Sequence, residues 1–218
     1  MDYLSWQRGA VSLEIIEPVQ QPVPCITLPH SPPAELEGEI IDLGDGMPGD
    51  FKRQAAHIEG KIVMASSAVR GKESRRWIHR DEKYGRSLMA GATGFIFANH
   101  YPGYGPATGG IGYGAAAPLP GLSVSFETAA FIKRLLRRHD RVKVRLTSSD
   151  TCRANVSWNV IGELPGRSRP EEIVLLGSHY DGHDIAQGAT DPASGTVCVL
   201  EAARVLARHA PELARTVR

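Results

Sequence analysis

Residues 173–195 read IVLLGSHYDGHDIAQGATDPASG. Ile173, Val174, Leu175 and Leu176 form an unbroken apolar run after the polar turn at 167–172, the pattern of a strand buried on both faces in an α/β sheet. Gly177 and Ser178 bring the chain out at the strand's carboxyl end, which in open α/β sheets is the ligand-binding edge. There the chain places His179, Asp181, His183 and Asp184, then Asp191 beyond a Gly-containing loop, then a segment of helical character. Two readings are open at this point. Asp and Gly are common wherever a strand hands over to a helix. Imidazole nitrogen with carboxylate oxygen is also the donor set of catalytic zinc, and a carboxylate two residues from a ligand histidine can orient its ring.

The chain of 218 residues has room for one large domain or two small ones, and 42% hydrophobic residues suffice for a core. A net charge of +1 and a pI near 7.8 give no global field for nucleic acid or an acidic membrane surface. Cys25, Cys152 and Cys198 are far apart and odd in number, so they specify neither a disulfide framework nor a thiolate zinc site. The opening residues, MDYLSWQRGAVSLEIIEP, lack the charged start and apolar run of a signal peptide, and no stretch reaches the length of a bilayer span. The compartment stays open.

Outward from the opening stretch, alternation at Val11, Leu13 and Ile15 predicts a strand. The proline-rich passage 18–33 reads as an extended surface connection and marks a domain boundary. Strands are expected at 39–43 and 60–65, separated by the turn-rich GDGMPGD. The polar stretch 70–92 turns helical, with Tyr84, Leu88 and Met89 on one face and Gly91 as the stop. GFIFA at 94–98 is a buried strand, and the dense Gly and Pro of 101–121 form a long irregular loop. That loop lacks the Gly-Lys-Ser/Thr ending of a P-loop and the dinucleotide pattern, so nucleotide binding has little support. Ser125 caps a helix running to about His139, with Phe131, Ile132, Leu135 and Leu136 inward and a basic outer face. Residues 141–146 alternate as a two-faced strand, and 155–164 begin a second strand-rich unit. The helix 193–210 is apolar nearly all round and needs covering, and 215–218 look like the start of another strand.

The segment from Asn159, NVIGELPGRSRPEEIVLLGSHYDGHDIAQGATDPASGTVCVLEAARVLA, resembles the start of the catalytic domain in the di-zinc aminopeptidase family, which takes in leucyl aminopeptidases and the glutamate carboxypeptidase II group. IEGKIVMAS at 58–66, AGATGFIFAN at 90–99 and PLPGLSVSFETAAFIKRLL at 118–136 resemble, more loosely, the protease-associated domain that many members carry. The resemblance implies an α/β architecture in three parts: a leading strand at 1–17 packing on the peptidase domain, a β-rich protease-associated domain with flanking helices at 18–150, and the first strands and helix of an α/β zinc-exopeptidase domain at 151–218, incomplete.

The same resemblance implies the roles. His179 matches a histidine that ligates one zinc, Asp191 the aspartate that bridges two zinc ions, and Asp181 the acid that orients the ligand histidine. His183 and Asp184 match no ligand position and are read as loop residues. Pro192 stands where the family usually has Asp or Asn; the family's cis peptide there predicts a cis Asp191–Pro192 bond, the alternative being a trans proline at a helix start. The family's Glu-Glu pair, general base and zinc ligand, and its later Asp and His ligands would all fall beyond Arg218; Glu171 and Glu172 stand at the wrong end of the strand. The expected function is thus part of a zinc-dependent aminopeptidase acting on peptide substrates through a metal-bound hydroxide, inactive as this chain alone, with an uncovered sheet edge open to self-association. The alternatives are a non-catalytic peptide-binding module built on the protease-associated domain, or a fragment without an independent role. Family members are commonly secreted or periplasmic.

Overall fold

The computed structural model describes residues 2–71 and 76–218, so the part of the 70–92 expectation at 72–75 lies outside the described residues. The chain folds as two compact units, 2–156 and 157–218.

The larger unit runs through β1 (Asp2–Gln7), β2 (Val11–Glu17), β3 (Gln21–Val23), β4 (Ile26–Thr27), β5 (Ala34–Asp42), α1 (Pro48–Gln54) and β6 (Ile62–Ser66). It continues with α2 (Arg80–Met89), β7 (Gly94–Ala98), β8 (Gly121–Val124), α3 (Phe126–Leu136), β9 (Lys143–Ser148) and β10 (Thr151–Val156). Eight of the strands form one mixed sheet in the order β3-β2-β9-β5-β6-β7-β8-β4, and β1 pairs antiparallel with β10 as a separate ribbon. The run β5, β6, β7, β8 is parallel, with Ser66 opposite Ala98 and Ala98 opposite Val124, so these strands present their carboxyl ends along one edge.

Side-chain alternation at period two explains why the central strands are apolar without a break. Ile62 and Met64 enter one core with Ile96, Leu122 and α3's Ile132 and Leu135, whereas Val63 and Ala65 enter another with Phe95, Phe97, α1's Phe51 and α2's Tyr84. Ser125 Oγ accepts from the Thr128 backbone N–H and starts α3 where the sequence places it. No named helix or strand interrupts the Gly- and Pro-rich stretch between β7 and β8.

Three expectations are corrected. Residues 18–33 are not a boundary: β3 and β4 lie within them and join opposite edges of the large sheet, where Pro22 sits on an edge strand, a position that needs no ladder donor. Residues 11–17 run inside that same sheet, between β3 and β9, because the alternating Leu13 and Ile15 find cover in its core. On α2 the buried side chains are Lys83, Tyr84 and Ser87, while Leu88 and Met89 are exposed, because the helix turns its polar-flanked stripe to the sheet and Lys83 finds carbonyl partners there.

The smaller unit holds β11 (Arg169–Val174), α4 (Ala193–Arg208) and β12 (Arg215–Val217). β11 and β12 pair in parallel, as the 215–218 reading expects, and Leu164 bridges to Val217. The strand is not buried on both faces. Every residue of β11 is exposed, the regular strand ends at Val174, and α4 buries no side chain. With one neighbour strand and no packed helix, this unit leaves Ile173, Leu175, Val197 and Leu200 uncovered among the described residues. Among the described residues no helix is long and apolar enough to cross a membrane, and the three cysteines are free.

Candidate metal-binding site

The loop from β11 to α4 carries the sequence-expected residues and brings three of them together. His179 Nε2 lies 3.0 Å from Asp191 Oδ1, so a histidine and a carboxylate twelve positions apart converge on one point. The opposite ring nitrogen, Nδ1, lies 2.9 Å from the backbone carbonyl of Asp181 and 3.4 Å from its carboxylate Oδ1. A carbonyl can only accept, so this contact puts the proton on Nδ1 and turns the Nε2 lone pair toward Asp191 when the ring is neutral. The main chain of Asp181 is therefore its nearer contact with the His179 ring. The Asp181 carbonyl first, then the Asp191 and Asp181 carboxylates, hold the His179 imidazolium above its ordinary range, against some desolvation.

The backbone of this loop is tied to the helix that follows. Thr196 Oγ1, in the first turn of α4, donates to the His179 carbonyl at 3.0 Å, and Ser178 Oγ donates to it at 3.1 Å. A Cβ on Gly195 would come 2.6 Å from Ser178 Oγ, so a larger residue there would make the Ser178 hydroxyl move. Ala193 N–H donates to the Gly188 carbonyl, with Gly188 at φ +67°, which closes the turn that presents Asp191. The Asp191–Pro192 peptide is cis, as the sequence reading expects. Thr196 and Ser178 are contacts the sequence reading did not single out; the small-residue start of α4 was the signal that could have found them.

His183 and Asp184 do not join the His179–Asp191 pair. His183 instead lines a cavity of about 440 Å³ together with Tyr180, Gln187, Pro192, Thr196 and Val197. Glu172, inside β11 and before the loop, is held by Arg215 and by Arg169 at 3.4 Å. The donor set fits two positions of a zinc ion, a neutral imidazole nitrogen and a carboxylate oxygen. Among the described residues no group of three His, Cys, Asp or Glu is placed to hold a metal.

Residues 159–218, which carry this pair, match the model of peptidase family M28. This segment resembles peptidase family M28. Across both the M28 segment and the preceding residues, the chain is 26% identical over 204 residues to carboxypeptidase Q of Mus musculus, covering 90% of this chain and 43% of that one. The aminopeptidase from Aneurinibacillus sp. strain AM-1 superposes with a TM-score of 0.71 at 22% identity, over 100% of this chain and 50% of that one. The peptidase M28 precursor from Shewanella amazonensis SB2B gives 0.70 at 25% identity, over 99% of this chain and 51% of that one. The chain thus spans about half the length of these proteins.

Proposed function

We propose that this chain is part of a zinc-dependent exopeptidase, an aminopeptidase that removes N-terminal residues from peptides. The observation that carries this reading is the 3.0 Å convergence of His179 Nε2 on Asp191 Oδ1 within the M28 segment. In it His179 and Asp191 would be the residues that hold zinc, and Asp181 is the positioning residue that fixes the imidazole. Bound zinc supplies an activated water and polarises the scissile carbonyl. The chain's own residues hold the ligand geometry: the Asp181 carbonyl sets the tautomer, Thr196 fixes the His179 main chain, and the Gly188 turn presents Asp191. The general base and the remaining zinc ligands come from polypeptide other than these residues, since Glu172 is occupied by Arg215 and no third donor joins the pair among the described residues. The larger unit acts as a protease-associated domain preceding the peptidase segment.

Leucine p-nitroanilide with added zinc tests this directly. The chain alone is expected to give no turnover, and robust turnover would overturn the assignment of the base to other polypeptide. Calorimetric zinc titration is expected to show weak binding that is lost in His179→Ala and in Asp191→Asn; binding unchanged in both would remove them as ligands. A second reading, a peptide-binding module, is favoured by one specific observation: the larger unit has a complete core of its own, whereas the M28 segment buries no apolar strand. Stable monomeric folding of the larger unit's residues alone, with peptide binding that ignores zinc, would favour it.

A further inference from the structure

The carboxyl ends of β6 and β7 hold a second group of reactive side chains, in the larger unit and outside the M28 segment. Ser67 follows β6 directly and His100 stands two residues past β7; the parallel register joins them, with the Ser67 backbone N–H donating to the Ala98 carbonyl at 2.7 Å. Ser67 Oγ is 2.6 Å from His100 Nδ1 and accepts from the His100 backbone N–H at 3.0 Å. With one lone pair engaged by that N–H, the hydroxyl is free to direct its own proton at the ring. Both residues are partly exposed, so the pair is reachable from solvent.

Beneath the pair lies Lys83, wholly buried on α2. Its Nζ donates to the carbonyls of Ser66 and Ala68, the neighbours of Ser67 on either side, at 2.6 and 2.5 Å. A turn clamp needs only the backbone N–H to Oγ bond, and burying an ammonium against carbonyls opposes folding. Such arrangements concentrate at functional sites. The setting also suits chemistry: burial, and then the Lys83 charge, push the His100 ring below its ordinary range, with Asp45 opposing, which favours the neutral, basic form of the ring. The carboxyl edge of parallel strands is where α/β sheets bind ligands.

We propose that Ser67 is a nucleophile and His100 its general base, forming a hydrolytic centre separate from the M28 segment that cleaves small carboxylic esters. Ser67 Oγ adds to the ester carbonyl carbon while its proton passes to His100 Nδ1. Collapse of the adduct breaks the acyl C–O bond, and that proton leaves with the alcohol. A water deprotonated at the same nitrogen then hydrolyses the acyl-serine, releasing the acid and restoring the hydroxyl. Lys83 is a positioning residue: it fixes the turn that carries Ser67 and disfavours the protonated ring.

The full chain is treated with a fluorophosphonate probe, digested and mapped by mass spectrometry, and assayed on p-nitrophenyl acetate with EDTA present so that any zinc chemistry is silent. The expected results are an adduct on Ser67, ester hydrolysis that persists in EDTA, and at least tenfold slower labelling in His100→Ala. Lys83→Met should move the acid limb of the pH–rate profile to higher pH, because the ring loses the charge that keeps it neutral. A folded wild-type chain with no Ser67 adduct under excess probe would overturn the proposal, as would an unchanged acetate rate in Ser67→Ala. Adduct mapping on the wild-type chain decides the question even where the variants fail to fold.

Discussion

β6 and β11 are both short strands in parallel pairs, yet every residue of one is buried and every residue of the other is exposed. The difference is in their neighbours. β6 lies between β5 and β7 with cores on both faces, whereas β11 has β12 on one side and, among the described residues, no packed layer on either face. An apolar run states what a strand needs, and neighbouring layers decide whether it gets it. The same contrast separates the two pairs of functional side chains. Ser67 and His100 hang from the ends of strands held in a packed sheet. His179 and Asp191 hang from a loop between two uncovered elements.

Hydrogen exchange gives the widest expected separation. Amides of β6 and β7 should exchange only through global unfolding, while those of β11 and the first turns of α4 should exchange through cheap local opening. With a global stability of at least ~5 kcal/mol for the larger unit, protection should differ by roughly 10⁴-fold. Similar protection in both would mean that the smaller unit is covered in solution.

Mutational cost should follow the same division. Ile96→Ala removes a fully buried side chain from the core beneath α3 and should cost about 2–5 kcal/mol. Leu175→Ala, at 73% exposure, should fall within about 0.5 kcal/mol. Chemical denaturation monitored by circular dichroism checks both, and a large loss at Leu175 would again point to a covered face.

Lys83 sharpens the comparison from inside the packed unit. Burial holds its ammonium down at about 8, with Asp45 and Asp50 opposing, against an ordinary value of 10.5. Between these two values the unfolded chain binds a proton that the folded chain does not. The sign is therefore positive: stability rises as pH climbs from about 8 to 10.5, and the cost of the buried charge is fully present below that window. The shift corresponds to about 3 kcal/mol as an order of magnitude. Subtracting the curve of Lys83→Met cancels other titrating groups, such as the Tyr84 phenol raised to about 12, and leaves this rise. A difference curve that is flat between pH 8 and 10.5 would mean Lys83 is not charged against burial.

Elements whose pattern and cover agree were legible in the sequence. GFIFA became β7 and Ser125 capped α3. The face of α2 was not legible, because a lysine with two carbonyl acceptors displaced Leu88 and Met89 from the position their hydrophobicity suggests. His179 and Asp191 could be picked out by residue type on one loop, and their contact follows from the turn at Gly188. Ser67 and His100 could not be paired in advance: they stand thirty-three positions apart, and only the β6–β7 register across α2 brings them into contact.

The smallest expected effect compares helix starts. α3 begins at Ser125, whose Oγ accepts from the Thr128 N–H at 3.1 Å, while α4 begins at Pro192 with no side-chain cap. Ser125→Ala leaves that N–H without its acceptor and should cost about 1 kcal/mol, visible as a lower urea midpoint with an unchanged slope. Ser194→Ala removes a hydroxyl that donates to the Thr190 carbonyl at 2.6 Å on an exposed turn, where water can replace it. Its expected cost is under ~0.5 kcal/mol. Equal costs at the two positions would show that the start of α4 is as firmly built as that of α3, and that the difference in stability between the two units narrows where the His179 loop joins its helix.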